Sequence, residues 1–189
     1  MTITAKSLSA LALLLLLPAA GSAQQDAFGA IDTVWAEIAK IDSLNWSVNL
    51  SYFNDEAVVG MSIPLKLSAG LNRIIADSCI SAGGRVEEFD IRAFRADTAI
   101  QCVTLGMIAS LSGKRKCLLP GKGRLATIFI SSIDDKPIEK LTVDTTTTHP
   151  HNSLEVIADS VQGEKSDTTR ITDMSMRTII PIFLTVYPE

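Results

Sequence analysis

The chain has 189 residues, of which 17 are lysine or arginine and 21 are aspartate or glutamate, and its formal net charge is −4 at pH 7. This mild acidity argues against a nucleic-acid-binding protein, which needs a broad basic face. A hydrophobic content of 47% is enough for a packed core, and the length suits one domain.

Residues 1–23 have the pattern of a secretory signal peptide. One positive charge, Lys6, precedes a short leucine-rich run, and small residues then predict cleavage between Ala23 and Gln24. The run is about half the roughly 20 apolar residues that a membrane-spanning helix needs, so we expect a cleaved leader and not an anchor. The expected mature chain, residues 24–189, has 166 residues and, without Lys6, a net charge of −5. We expect it to be periplasmic or extracellular, and not membrane-spanning.

The first predicted elements are one helix and two strands. Residues 26–42 carry apolar side chains at three- and four-residue steps after a possible cap at Asp26, which predicts an amphipathic helix. Apolar and polar residues alternate through 46–52, which predicts a half-buried strand. The Asn-Asp pair at 54–55 predicts a turn, and 58–63 is predicted to return as a second strand.

The middle of the chain predicts a second helix, a strand and a third helix. Residues 68–84 have a helical apolar face and end in two glycines, a typical helix stop. Residues 85–94 alternate imperfectly and are predicted as a strand with a bulge. In 97–112, the cap-like Asp97 favours a helix whereas β-branched residues favour a strand, and we predict a helix.

The remaining predicted elements are three strands and a short helix. Residues 124–133 predict a strong strand, and 138–143 a short edge strand because it carries charged side chains. Residues 152–163 have a capping-box-like start and predict a helix. The last strand is predicted at 176–187, where Pro181 indicates a bulge or an edge position.

This element order predicts an α+β fold, with a mostly antiparallel sheet and three to four helices packed on it. We predict a single domain over residues 24–189. The alternative is a pair of small αβ lobes, divided near residue 96 or within the polar connection at 144–152. No internal repeat is visible in the sequence.

Three cysteines raise the question of a disulfide. In an oxidising compartment two of them are expected to pair, and Cys102–Cys117 encloses the smallest loop. Cys79 lies on the apolar face of the second predicted helix and is the expected remaining thiol. The alternative, in which all three are small buried side chains, stays open. The chain has no C-x-x-C motif, so neither a thioredoxin-type site nor a zinc knuckle is predicted.

A basic segment at 113–124 interrupts the otherwise acidic chain. Its glycine spacing does not match a Walker phosphate-binding loop. The interpretations are a solvated connection, a docking patch for an anionic partner, or a phosphate site. If the segment contacts a partner, the residues expected to do so are Lys114, Arg115, Lys116, Lys122 and Arg124.

The two histidines of the chain, His149 and His151, flank a proline. In an extended segment their side chains point the same way, and Asp144 or Asp159 is a candidate third metal ligand. Two imidazoles do not make a metal site, so no metal is predicted. No nucleophile motif is present, and the acidic pairs at 87–88 and 134–135 are interpreted as solvated surface. We therefore predict no catalytic residue and no cofactor.

These features favour an exported, non-catalytic protein that binds a protein partner or an anionic envelope surface. An envelope assembly factor, a complex subunit or an inhibitor would act in this way. One alternative is a metal- or thiol-dependent enzyme centred on His149 and His151. Another is a small-molecule carrier with a pocket between the sheet and the first helix. The sequence leaves the oligomeric state open.

Overall fold

A computed structural model describes residues 29–111, 116–146, 153–159 and 176–187. Across these ranges the chain forms eleven β-strands and no helix. The predicted signal peptide, with Ala23 and Gln24, lies outside them. The strands are β1 (Thr33–Lys40), β2 (Asn45–Asn54), β3 (Ala57–Ser68), β4 (Ile74–Ile80), β5 (Ile91–Asp97), β6 (Cys102–Ile108), β7 (Gly121–Ser132), β8 (Thr142–Thr145), β9 (Glu155–Asp159), β10 (Met176–Ile179) and β11 (Ile182–Val186).

The strands form two sheets that pack as a β-sandwich. Sheet A has the order β11-β1-β2-β7-β4, and sheet B has the order β10-β9-β3-β6-β5, with β8 also paired to β3. Neighbouring strands are antiparallel, except that β11 runs parallel to β1. Both sheets contain strands from both halves of the chain, so each depends on pairings that are distant in sequence.

The core lies between the two sheets and is built by alternation along the strands. In β2 the buried residues include Val48, Leu50 and Tyr52, and in β3 they include Ile63 and Leu65. Successive side chains of a strand point to opposite faces, so every second residue of these stretches faces the core. Burying one such large apolar side chain stabilises the fold by about 1.5–3 kcal/mol.

The predicted α+β fold is wrong, and the first predicted helix shows why. Residues 33–40 form β1, in which Val34, Ala36 and Ile38 are buried at two-residue steps. The helical stripe also contained Ile31 and Ile41, which are 36% and 55% exposed. Because apolar residues stood at both spacings, the short segment fitted either element, and pairing with β2 selects the strand.

The second and third predicted helices are also strands. Residues 74–80 form β4 and residues 102–108 form β6. The residues predicted to begin and end these helices do lie near element boundaries, but they form turns. Gly83, for example, has a φ of +66° in the connection after β4. Asp97 accepts hydrogen bonds from the N–H groups of Ala99 and Ile100, as a helix cap would, but in the β5–β6 turn.

The C-terminal predictions are corrected in a similar way. The predicted helix at 152–163 contains β9, in which Val156 and Ala158 are buried and Ile157 is exposed. The strand predicted at 85–94 begins only at Ile91, after a turn. The single last strand is two strands in different sheets, β10 and β11, with Pro181 between them. Each stands at the end of its sheet, where a proline nearby is tolerated.

Candidate functional site

The outer face of sheet B carries a shallow apolar depression that spans four strands. The register aligns Ile157, Gly60, Ile108 and Ile91 in one row across β9, β3, β6 and β5. The adjacent outward row contains Glu155, Ser62, Gly106 and Ala93. These eight residues line a space of about 340 Å³, which we call the sheet B depression.

Glycines make the floor of the depression and isoleucines its walls. Gly60 and Gly106 have no side chain above the sheet, whereas Ile108 and Ile157 next to them are 41% and 36% exposed. Isolated exposed apolar residues are ordinary on a protein surface. Here they are grouped around a hollow, with the polar side chain of Glu155 at the rim.

The fold itself does not require glycine at these two floor positions. A Cβ at Gly60 would lie 3.5 Å from the carbonyl oxygen of Met107, and one at Gly106 would lie 3.9 Å from the Cβ of Ala93. Both distances are ordinary van der Waals contacts. The consequence of glycine here is the open space above the backbone, which a methyl group would begin to fill.

The three described basic residues of the predicted partner-binding set, Lys116, Lys122 and Arg124, make contacts within the chain. Lys116 forms a 2.7 Å ion pair with Asp90, and the Lys122 ammonium lies 4.3 Å from the ring centroid of Trp35. The hydrogen bond from Lys116 lowers the pKa of the Asp90 carboxyl.

Arg124 donates to the carbonyl of Ala82 at 2.7 Å and to the hydroxyl of Thr127 at 3.0 Å. β7 begins at Gly121, so residues 121–124 of the basic segment belong to a strand and not to a loop. Lys114 and Arg115 lie outside the described residues. A partner-binding role for the five basic residues stays a prediction.

The strand register keeps the two cysteines of the expected disulfide apart. Cys102 pairs with Lys66 at one end of β3, whereas Leu118, next to Cys117, pairs with Val58 near the other end. Eight residues of strand separate these points by roughly 26 Å. A disulfide needs Cα atoms within about 7 Å. The strand register therefore does not support a disulfide between Cys102 and Cys117, and Cys102 carries a thiol in the structure.

The described residues give little support to a metal- or thiol-dependent enzyme. His149 and His151 lie outside the described ranges, so the structure says nothing of a metal between them. Cys79 is half-buried on β4, and this burial raises the pKa of its thiol to about 11. A nucleophilic cysteine needs the opposite shift, so Cys79 is poorly suited to thiol chemistry.

The pocket expected between the sheet and the first helix is not formed, because that helix is β1. Buried apolar side chains fill the space between the two sheets. A more open cleft of about 570 Å³ lies between the β3–β4 turn and the segment 137–142. Its lining combines the charged Glu139 and Lys140 with the apolar Ala69, Leu71 and Pro137. Among the described residues there is no helix of the length and apolarity needed to cross a membrane.

No protein-family profile matches this chain, and no curated protein matches its sequence. Solved structures do match it in three dimensions. A chain of a type I cohesin–dockerin complex from Clostridium thermocellum is 9% identical with a TM-score of 0.56, over 84% of this chain and 100% of that one. The fold is cohesin-like.

Two further structures support this likeness. In another type I cohesin–dockerin complex from Clostridium thermocellum, the matching chain is 8% identical with a TM-score of 0.53, over 85% of this chain and 96% of that one. A type I cohesin from Pseudobacteroides cellulosolvens is 10% identical with a TM-score of 0.51, over 84% and 92%. Identities this low establish the cohesin-like fold and carry no residue role.

Sequence reasoning did not find the sheet B depression. Gly60 was placed inside a predicted strand and Gly106 inside a predicted helix, and neither position was interpreted as a close approach or a cavity. An isolated glycine within a strand pattern is the one available signal for such a feature. The sequence alone does not reveal that these glycines lie on neighbouring strands.

Proposed function

We propose that this chain is a non-catalytic binding module that docks a protein partner on the outer face of sheet B. The observation that carries the proposal is the sheet B depression, where isoleucines surround a glycine floor. The partner we expect presents a protruding apolar side chain that enters the hollow. Burial of exposed apolar area drives such association, at roughly 25 cal/mol per Å² before the costs of binding.

The likeness to cohesin modules solved together with dockerins supports a binding role. A sandwich of this kind presents a rigid sheet face, and a rigid face loses little conformational freedom when a partner docks. Fewer than a tenth of the residues are identical in either complex, so the likeness of the folds does not by itself predict a dockerin as the partner. The choice of partner depends on the surface residues of this chain.

We further propose that the protein acts after export, on the strength of the leader pattern in residues 1–23. A protein partner is preferred over an anionic envelope surface, since the described basic residues Lys116, Lys122 and Arg124 already have partners within the chain. These residues remain candidates for the edge of a partner contact.

The experiment compares two lysine substitutions at equally exposed isoleucines. Ile108 in the depression is 41% exposed and Ile182 on β11 of sheet A is 42% exposed. Wild type, Ile108→Lys and Ile182→Lys serve as immobilised baits for exported proteins of the source organism, and captured proteins are quantified by mass spectrometry. We expect a partner that wild type and Ile182→Lys retain and that Ile108→Lys loses.

A gentler variant tests the hollow itself. Gly106→Ala adds one methyl group at ordinary contact distance, so folding should be unchanged while the floor is raised. Its affinity for the identified partner should fall about 3- to 30-fold, the range for a small misfit at a packed interface. A partner bound equally by all variants, or lost equally with Ile182→Lys, contradicts docking on sheet B.

A further inference from the structure

Three carboxylates meet where the chain enters the sandwich. Asp32 immediately precedes β1, and Asp55 and Glu56 form the turn between β2 and β3. One oxygen from each lies within 4.8 Å of the others, and we call these residues the acidic cluster. Asp32 is fully buried and Glu56 is 6% exposed. Three carboxylates at this depth form a dense concentration of negative charge, and their oxygens are close enough together to hold one cation.

Backbone and core contacts hold the cluster in place. The hydroxyl of Tyr52 donates to Asp32, and the N–H of Ala30 donates to Asp55 Oδ2 at 2.6 Å. Gly29 comes so close to Asp55 that a Cβ there would collide with its carboxylate. These contacts hold the carboxylates of Asp32 and Asp55 between the core and the segment before β1.

Asn54 supplies an independent observation. Its side chain is fully buried and belongs to the same inward face of β2 as Tyr52, whose hydroxyl contacts the cluster. The Asn54 amide nitrogen donates to the backbone carbonyls of Glu56 and, at 3.3 Å, of Leu119. Its Oδ1 is buried beside the same turn and accepts no hydrogen bond from the described part of the chain. A buried acceptor without a donor is costly, and a cation satisfies it as a donor would.

From this geometry we propose that the acidic cluster and Asn54 form a calcium site. Carboxylate and amide oxygens are the ligands of hard divalent cations. Calcium–oxygen distances of about 2.3–2.6 Å let two ligands stand up to about 5 Å apart, which accommodates the cluster. Magnesium at about 2.0–2.1 Å demands a tighter and more regular arrangement. The site is distinct from the sheet B depression and ties the segment before β1 to the β2–β3 turn.

The test measures calcium binding by the purified protein directly. After removal of metals with EDTA and dialysis, isothermal titration with calcium chloride should show one site per chain. Calcium should also raise the melting temperature, because a ligand that binds only the folded state stabilises it. Terbium, a calcium substitute, should give sensitised emission when excited through Tyr52, which contacts Asp32.

The matched variants are Asp55→Asn in the cluster and Asp135→Asn in an exposed turn. Both remove one negative charge and keep the side-chain shape, and asparagine tolerates the φ of +53° at position 135. Asp55 is only half-buried, so the variant should fold, which near-UV circular dichroism checks. We expect calcium affinity about tenfold or more weaker in Asp55→Asn and unchanged in Asp135→Asn.

Two results would overturn the calcium site. One is a wild-type protein that shows neither titration heat nor a melting shift with millimolar calcium. The other is calcium binding that Asp55→Asn and Glu56→Gln leave unchanged, which would place the ion elsewhere on the chain. Both results are readable without knowing the partner, so they are independent of docking on sheet B.

Discussion

Tyr52→Phe tests how much the polar contact in the buried end of the sandwich stabilises the fold. Tyr52 is fully buried, and its hydroxyl donates to the carboxylate of Asp32, which is also fully buried. Phenylalanine keeps the ring and removes only the donor. The change therefore leaves the apolar packing intact and isolates the hydrogen bond to a charged group.

The expected loss follows from that contact. A hydrogen bond to a charged group contributes about 1.5–3 kcal/mol, and the carboxylate left behind cannot reach water. We expect the free energy of unfolding to fall by about 2 kcal/mol. For a domain of this size that lowers the melting temperature by about 4–8 °C. Urea titrations followed by tryptophan fluorescence in EDTA measure the loss without any contribution from bound metal.

The second tyrosine of the chain provides the control. Tyr187 is 48% exposed, so Tyr187→Phe should change the free energy of unfolding by less than about 0.5 kcal/mol. Equal effects of the two substitutions would refute the reasoning, because they would show that the buried hydroxyl contributes no more than an exposed one. A Tyr52→Phe protein as stable as wild type would do the same.

Three further predictions use other observations. Burial, with the hydrogen bond to Asp32, raises the pKa of Tyr52 above its ordinary 10.0, so its contribution to stability should be complete below pH 10 and lost as pH rises further, as urea titrations between pH 8 and 12 would show. Cys79, with a pKa of about 11 against an ordinary 9.0, should carry about 100-fold less thiolate at pH 8, so peptide mass spectrometry should find its alkylation slow until the protein is denatured. Gly84→Ala should destabilise the fold by about 1–3 kcal/mol in a urea titration, because its Cβ would collide with the Leu125 carbonyl, whereas Gly106→Ala should not.

The strands that were predicted from sequence carry a clear strand signal. Apolar and polar residues alternate through 46–52, and 124–133 contains an apolar run at Ile128, Phe129 and Ile130. These segments lie mostly in β2 and β7, which pair with each other in sheet A. The turn predicted at 54–55 is confirmed between β2 and β3. In 48–52 the alternation matches the burial, because Val48, Leu50 and Tyr52 are buried whereas Asn49 and Ser51 are half-buried.

The failures have a different physical origin. Segments such as 33–40 and 102–108 are short and apolar, and their spacing fits a helix as well as a strand. What decides between them is pairing with other strands, some of them far away in the sequence: β1 pairs with β11 as well as with β2, and β6 with β3 as well as with β5. These hydrogen bonds overrule local propensity, and no short window of the sequence contains both members of the β1–β11 or the β3–β6 pair.

The sheet B depression was inaccessible to sequence reasoning for the same reason. Gly60 and Ile157 are nearly a hundred residues apart, and only the β3–β9 register brings them together. The basic segment, by contrast, stood out because its residues are adjacent in sequence. Its described members contact Asp90, Trp35 and Thr127 within the chain. The local concentration of positive charge was therefore visible in the sequence, but the contacts of these residues were not.

The cohesin-like fold narrows the question of function without answering it. At about 9% identity, what this chain shares with this structural neighbour is the fold, which many different sequences can adopt. Partner choice depends on outward residues, and at Ile108, Ile157 and Ile91 the outward side chains are apolar. A partner is therefore expected to match this apolar hollow, whether or not it is a dockerin. For that reason the decisive comparison is between two faces of this protein, Ile108 against Ile182, and not between this protein and a cohesin.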